Sequence, residues 1–276
     1  MTSTDTPSIS VICTVRNGAL TLEETFRSIL EQTLEDLELI VVDDGSTDNS
    51  LDLINEIAVR DSRVRLIEAG AVGRGSALNL GINASKGELI AIIDVDDPSH
   101  PKRLELQRQI MNEHEDVVLL CTGIVFVHGD GAPEWPSMEF STPSNQLLID
   151  VTQTIMRRNP ICHSSVLMRK QPLLDLGAYD ESRQSKFDYD LWVRFVEAGH
   201  KLHRLDYLLA SKRFHESQSF DNNPSFVLET APVQIRAIRI LGGNWKDWLS
   251  VGARAAWYLL PAKLRWARHR GGNATR

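Results

Sequence analysis

Over the first 120 residues, short apolar runs alternate with amphipathic stretches at a spacing that predicts a strand–helix repeat. Residues 9–13, 37–42, 64–67 and 89–93 are short, β-branched and apolar at almost every position. Near-continuous apolar strands are buried on both faces, as in a parallel sheet. Between them the apolar period lengthens to that of a helix. Thr21-Leu22-Glu23-Glu24 has the form of a capping box opening a helix to about Leu34, with Leu22, Phe26, Ile29 and Leu30 on one face. Further helices are predicted over 48–60, 76–85 and 101–115, the last with proline at its start. The alternation predicts an α/β chain with a doubly wound, mostly parallel sheet.

Beyond residue 120 the pattern is mixed. Residues 117–128 predict one or two strands, 129–146 a polar loop rich in Pro and Gly, 147–158 a helix and 164–168 a strand. A helix over 190–198 carries Leu191, Phe195 and Trp192 or Val196 at helical spacing, which places Trp192 in the core. No internal repeat appears, and no linker forces a domain boundary before about 220.

In doubly wound sheets ligands gather at the carboxyl ends of the strands. Thr14-Val15-Arg16-Asn17 follows the first predicted strand, Asp43-Asp44-Gly45-Ser46 the second and Asp94-Val95-Asp96-Asp97 the fourth. Three carboxylates within four residues repel one another unless a cation or solvent compensates them, and oxygen donors at that density suit Mg2+ or Mn2+. The alternative is a solvated turn whose last Asp caps the next helix. The 43–48 turn is equally two-sided: a tight turn at Gly45 with Asp48 as cap, or a carboxylate that accepts from a base N–H or ribose hydroxyl. Gly73-Arg74-Gly75 opens a helix whose N–H groups favour an anion, but it lacks the lysine of a P-loop and the spacing of a dinucleotide fingerprint.

Composition narrows the classes. The chain is 42% hydrophobic and 24% charged, which excludes disorder for its bulk. No uninterrupted apolar window approaches the ~18 residues of a membrane span, and the start, Met1 to Pro7, lacks the basic and apolar regions of a signal peptide. Cys13, Cys121 and Cys162 lie in or beside apolar runs and read as free thiols of a reducing compartment, so a cytoplasmic location is expected. The net charge of −7 argues against nucleic acid as a partner, yet residues 245–276 hold seven Lys/Arg against the single acid Asp247. Four of the six Trp (245, 248, 257, 266) fall in the same stretch, at helical spacing up to Pro261. A basic, Trp-bearing helix suits an anionic membrane interface; the alternative is a helix packed on the domain or on a second copy in a homo-oligomer.

Together these loops resemble glycosyltransferase family 2, whose members have the nucleotide-sugar-binding fold called GT-A. The resemblance runs from about Ile9 to Ser219. It is carried by Ser10 to Asn17, by Ser28-Ile-Leu-Glu-Gln-Thr33 through Glu38 to Asp48, and by Ala77-Leu-Asn-Leu-Gly-Ile82 through Gly87 to Asp97. Downstream, His163 to Arg169, Gly177-Ala-Tyr-Asp-Glu181, Asp188-Tyr-Asp-Leu-Trp-Val-Arg194 and Arg213-Phe-His-Glu-Ser-Gln-Ser219 keep the family's order. The resemblance implies a GT-A catalytic domain over 1–220 with a helical basic extension over 221–276.

It also implies a nucleoside-diphosphate sugar as donor, a UDP-sugar foremost, and a divalent metal, Mn2+ or Mg2+. Thr14, Arg16 and Asp44, with Asp43, are then expected to hold the nucleoside, and Asp94 and Asp96 the ribose and the metal. Asp188 matches the family's general base, and His215 the histidine that reaches the metal or diphosphate. The chain departs from the pattern at Thr14 and Arg16 (usually Pro and Tyr) and at Leu78 (often Arg), where Arg74, one turn earlier, is placed to supply the cation. Phe187 stands where a Glu usually precedes the base, which leaves Asp190 as an alternative. His163 falls near the acceptor cleft or is a partly buried, hydrogen-bonded histidine. The resulting expectation is a metal-dependent inverting glycosyltransferase acting on a glycan or lipid-linked sugar at the cytoplasmic membrane face. The alternatives are a catalytically silent sugar-nucleotide binder, which Phe187 favours, and a nucleotidyltransferase, which the poor Gly-rich loop disfavours.

Overall fold

In a computed structural model, described over residues 6–140, 147–214 and 225–259, the four apolar runs form β1 (Ile9–Val15), β2 (Leu37–Asp43), β3 (Val64–Glu68) and β4 (Leu89–Asp94). They are joined by α1 (Leu22–Leu30), α2 (Ser50–Arg60) and α3 (Arg74–Ala84), all four strands run parallel, and α4 (Arg103–Glu113) follows β4. The remaining elements are β5 (Leu119–His128), β6 (Leu148–Asp150), β7 (Leu167–Arg169), α5 (Lys170–Asp175), α6 (Phe187–Glu197), β8 (Leu202–Phe214), α7 (Ser225–Ile240) and α8 (Trp245–Leu259). They complete one eight-stranded sheet in the order β3-β2-β1-β4-β7-β5-β8-β6. β7 is antiparallel to both β4 and β5, β5 is parallel to β8, and β6 is antiparallel to β8. The doubly wound expectation therefore holds as a mixed, mostly parallel sheet.

The alternation of side chains along β1 separates two cores. Ile9, Val11, Cys13 and Val15 pack with Phe26 and Ile29 of α1, Ile54 of α2 and Ile110 of α4. Ile12 faces the other way, with Leu78 and Ile82 of α3, Trp192 and Phe195 of α6 and Ala237 of α7. Gly81 lets α3 approach β1 closely, since a Cβ there would lie 2.6 Å from the Ile12 side chain.

Several expectations are corrected. The first helix stops at Leu30 rather than Leu34: the side-chain amide of Gln32 takes the Ser28 carbonyl that the next helical turn would use, and the Gln32 N–H turns to Ile29. The capping box does not form. Thr21 makes no side-chain cap, and the Glu24 carboxylate accepts from Arg213 at 2.7 Å instead. Over 147–158 there is no α-helix but β6 and a 3-10 turn, Thr152–Met156, because pairing with β8 and the Asp150 side-chain bond to the Thr152 N–H outweigh local helical pattern. The expected strand at 164–168 begins as a 3-10 turn, His163–Ser165, held by the Ser165 hydroxyl on the Cys162 carbonyl, and becomes strand only at Leu167.

Candidate active site

The turns after β1, β2 and β4 meet at one sheet edge: Val15 is the register partner of Asp43, and Thr14 that of both Val42 and Asp94. The two acidic turns there are built differently. After β2, the buried Asp43 carboxylate accepts from the backbone N–H groups of Gly45 (3.0 Å) and Ser46 (3.1 Å), closing a turn in which Gly45 has φ +79°. Asp44 accepts from the Gly73 N–H at 2.9 Å, tying this turn to the start of α3. Asp48 takes the Ser50 and Ala19 N–H groups, but it stands one residue before the N-cap Asn49 of α2, which has no side-chain cap, so the cap expectation is corrected to a bond across the turn.

After β4, the carboxylates instead face cations from distant elements. One Asp94 oxygen pairs with Arg74 of α3 and lies 3.6 Å from Nδ1 of His163, and the other is 3.2 Å from Nζ of Lys212 on β8. Burial opposes ionisation of Asp94, but Arg74 and Lys212 outweigh it and hold the carboxyl well below the usual range. Asp97 is fully buried and accepts from the Ser164 hydroxyl (2.5 Å), Lys212 Nζ (2.9 Å) and the Arg213 N–H (2.9 Å). Burial and the Asp94 charge push Asp97 up to about 7, and the same two carboxylates raise Lys212 against its own desolvation. Arg213, itself buried, braces the turn through the Asp96, Gly129 and Gly131 carbonyls and the Glu24 carboxylate.

A cavity of about 620 Å3 opens beside this turn and is lined by Arg74, Asp94, His163, Phe187, Asp188 and Lys212, among others. Asp188, in the first turn of α6, accepts from the Asn159 amide at 2.8 Å. Asp190 turns away into ion pairs with Arg183 and Arg194, both 2.9 Å, and is not among the lining residues. Phe187 packs edge-on against His163 and Tyr179, with the Arg74 guanidinium 5.5 Å from its ring centroid. His163 is buried and bonds the Tyr179 hydroxyl at 2.8 Å. Asn79 clamps the backbone of Tyr179 and the side chain of Glu181, tying to α3 the segment that packs on Phe187.

Of the residues singled out from sequence, Arg74, Asp94 and Asp188 share the cavity. Thr14, Arg16, Asp43, Asp44 and Asp96 lie along the adjoining strand ends, outside the lining set, and Asp43 spends its carboxylate on its own turn. His215, Pro261 and Trp266 lie outside the described residues. Lys212 was missed: its only local signal is a pair of consecutive cations at the end of β8, a strand too polar to read as one. Asp94, Asp96 and Asp97 offer oxygen atoms all within 4.8 Å of one another. Hard oxygen donors so placed fit Mg2+ or Mn2+. Asp97 is the fully buried member, bonded to Ser164, Lys212 and Arg213, so Asp96 and the less buried Asp94 are the residues that would hold an ion, Asp94 by giving up a contact with Arg74 or Lys212.

A mixed, mostly parallel α/β sheet with an acidic turn, two cations and a further carboxylate around one cavity is an architecture of the GT-A class. A family model, Glycosyl transferase family 2, matches residues 10–176, and the chain belongs to that family. It is 29% identical to EpsE of Bacillus subtilis, named as a glycosyltransferase, over 94% of this chain and 91% of that protein. It is 30% identical to a glycosyltransferase of Rickettsia felis over 77% of this chain but only 35% of that longer protein. The crystal structure of Staphylococcus aureus TarS 1-349 in complex with UDP-GlcNAc superposes with a TM-score of 0.66 at 20% identity, covering 91% of this chain and 72% of that one. The chain is thus a glycosyltransferase of the GT-A fold.

Proposed function

We propose that the protein transfers a sugar, with inversion, from a nucleoside diphosphate to a hydroxyl acceptor in the synthesis of a cell-surface glycan. The observation that carries this is the shared cavity: Asp94, flanked by Arg74 and Lys212, and Asp188 face the same space. UDP-GlcNAc in the TarS crystal structure supports a UDP-sugar as donor.

Asp44 and Thr14, with Arg16 and the Asp43 turn behind them, bind the nucleoside at the strand ends. Arg74 and Lys212 bring positive charge to the leaving diphosphate. A divalent cation held by Asp96 and Asp94 would neutralise further charge as the sugar–phosphate bond breaks. Asp188, oriented by Asn159, accepts the proton of the acceptor hydroxyl as its oxygen attacks the anomeric carbon. The electron pair of the breaking bond leaves with the nucleoside diphosphate, and attack from the opposite face inverts the centre. Such base assistance contributes about 10²–10⁴-fold.

Phe187 bridges His163, Tyr179 and Arg74 at the cavity wall beside Asp188. No described helix is long and apolar enough to cross a membrane. Trp245, Trp248 and Leu249 are exposed at the start of α8, which supports contact with an anionic membrane surface, where a lipid-linked acceptor resides. The testing experiment is Asp188→Asn: UDP-sugar binding stays as in wild type while transfer falls by about 10²–10⁴-fold. Transfer at wild-type rate refutes the base assignment.

A further inference from the structure

Asp188 sits on a segment that the chain closes into a loop. The guanidinium of Arg183 and the carboxylate of Asp190 form an ion pair at 2.9 Å. Every residue between them, 184–189, lines the cavity. The pair is therefore the clasp of the stretch that carries the base.

Asp190 is buried, and three arginines from different parts of the chain converge on it. One of its oxygens takes Arg183 and lies 3.7 Å from Arg236 of α7; the other takes Nε of Arg194, one turn further along α6, at 2.9 Å. Arg194 spends its remaining N–H groups on the carbonyls of Leu176 (2.7 Å) and Ala178 (2.6 Å), in a turn where Gly177 and Ala178 both have positive φ. Arg183 also reaches back to Asp180 at 3.4 Å. One carboxylate thus pins the stretch 176–183 to α6. The same stretch is tied to α3, where Ser76 and Asn79 donate to the Glu181 carboxylate.

The loop inside the clasp holds a strained position. Lys186, at the N-terminal end of α6, has φ +56°, a left-handed backbone that a residue with a Cβ adopts only where its surroundings fix it. The kink starts α6 at Phe187, so that Asp188 stands in the first helical turn, 2.8 Å from the Asn159 amide. Within the loop, Ser185 bonds Glu229 of α7 and the Tyr189 hydroxyl bonds the Ile155 carbonyl. Those bonds fix where its side chains end, whereas the ion pair fixes the separation of its two stems. We propose that Arg183 and Asp190 are positioning residues, whose pair sets where Asp188 meets the acceptor hydroxyl. The inference rests on the reading of Asp188 as the base. A base must stand within hydrogen-bond reach of the attacking oxygen, and rates fall steeply as it is displaced.

The test uses the full chain with Mn2+ and reads UDP released from UDP-GlcNAc, UDP-glucose or UDP-galactose with water as acceptor, separating kcat from KM. Arg183→Gln is expected to lower kcat about 10²-fold, the scale of a displacement of ~1 Å at a reacting group, with KM and the calorimetric UDP affinity as in wild type. Asp190→Asn is expected to do the same, and the double variant no worse than either alone, since the two act as a pair. Loss of Arg183 leaves Asp190 with Arg194 and Arg236, so Arg183→Gln carries the test if Asp190→Asn does not fold. Amide exchange over 184–189 is expected to rise about fivefold in Arg183→Gln, the scale of one partly exposed ion pair. A wild-type kcat in Arg183→Gln, a fall in kcat matched by an equal loss of UDP affinity, or losses that add in the double variant overturn the proposal. If wild type releases UDP from none of the donors, or Asp188→Asn does so at the wild-type rate, the donor or base reading is what fails. Exchange then decides alone: a rise over 184–189 leaves the clasp standing as the support of the cavity wall, and no rise overturns it too.

Discussion

The turn after β2 and the turn after β4 each carry three aspartates, Asp43, Asp44 and Asp48 against Asp94, Asp96 and Asp97, and both lie at the carboxyl edge of the sheet. In the first, every described carboxylate contact is with a backbone N–H or hydroxyl of neighbouring loops: Asp43 closes its own turn, Asp44 takes Gly73 and Asp48 takes Ser50 at the start of α2. In the second, Asp94 and Asp97 are met by side-chain cations from α3 and β8, far away in sequence. Carboxylates bonded to N–H groups shape a loop. Carboxylates shared between mobile-proton donors and long cationic side chains hold charge that a polyanionic ligand can re-partition. Equal composition therefore yields one turn shaped by backbone bonds and another that gathers cations from distant elements.

The largest effect that bears on this contrast is expected at Asp97. Asp97→Ala leaves the Ser164 hydroxyl and the Arg213 N–H without their acceptor and Lys212 with Asp94 alone, a loss of about 3–5 kcal/mol, measurable by chemical denaturation. A loss no larger than that of Asp43→Ala breaks the contrast. Next is Asp94→Asn, which leaves the fold intact by shape but removes the charge facing Arg74 and Lys212. Donor turnover is expected to fall about 10²–10³-fold, the scale for removing one electrostatic group from a preorganised site, in a single-turnover assay with UDP-sugar. Asp43→Ala is expected to cost about 1–3 kcal/mol of stability, since it strands the Gly45 and Ser46 N–H groups. Asp43→Asn, which keeps an acceptor oxygen, is expected to cost much less, and neither is expected to change turnover beyond what their stability explains. The smallest effect is Phe187→Leu, which removes the ring beneath Arg74: about 0.5–1 kcal/mol, read as a modest fall in melting temperature.

The sequence made the two turns visible but not their difference, for a physical reason. β1, β2 and β4 are apolar and buried along almost their whole length, so each announces itself by its own apolar run even though β1 and β4 pair across eighty residues. β8 is different: Leu202–Phe214 interleaves buried and exposed positions beside a bulge at Thr122–Ile124, so it carries no apolar run that marks a strand. Lys212 arrives at the site on that strand, and so the cation that distinguishes the second turn was hidden while its aspartates were plain. The part of α8 in the cavity was hidden likewise: the helix was expected from the spacing of Trp245, Trp248 and the apolar residues after them, but only packing against α7 and the Arg157–Asp247 pair brings Arg254 to the cavity. Asp188 was legible because its place in the motif is fixed, and the Arg183 and Arg194 pairs that remove Asp190 from contention are themselves tertiary.

The central claim, that the turn after β4 with Arg74 and Lys212 receives a diphosphate, is tested most directly by titration calorimetry. UDP and uridine are titrated, with Mn2+, into wild type and into Lys212→Met, whose folding is verified first. The account predicts that UDP binds wild type far more tightly than uridine, that Lys212→Met weakens UDP about tenfold or more by losing a charge-assisted contact, and that uridine binding is unmoved. Equal affinities for UDP and uridine in the wild type, or a UDP affinity indifferent to Lys212, would contradict it.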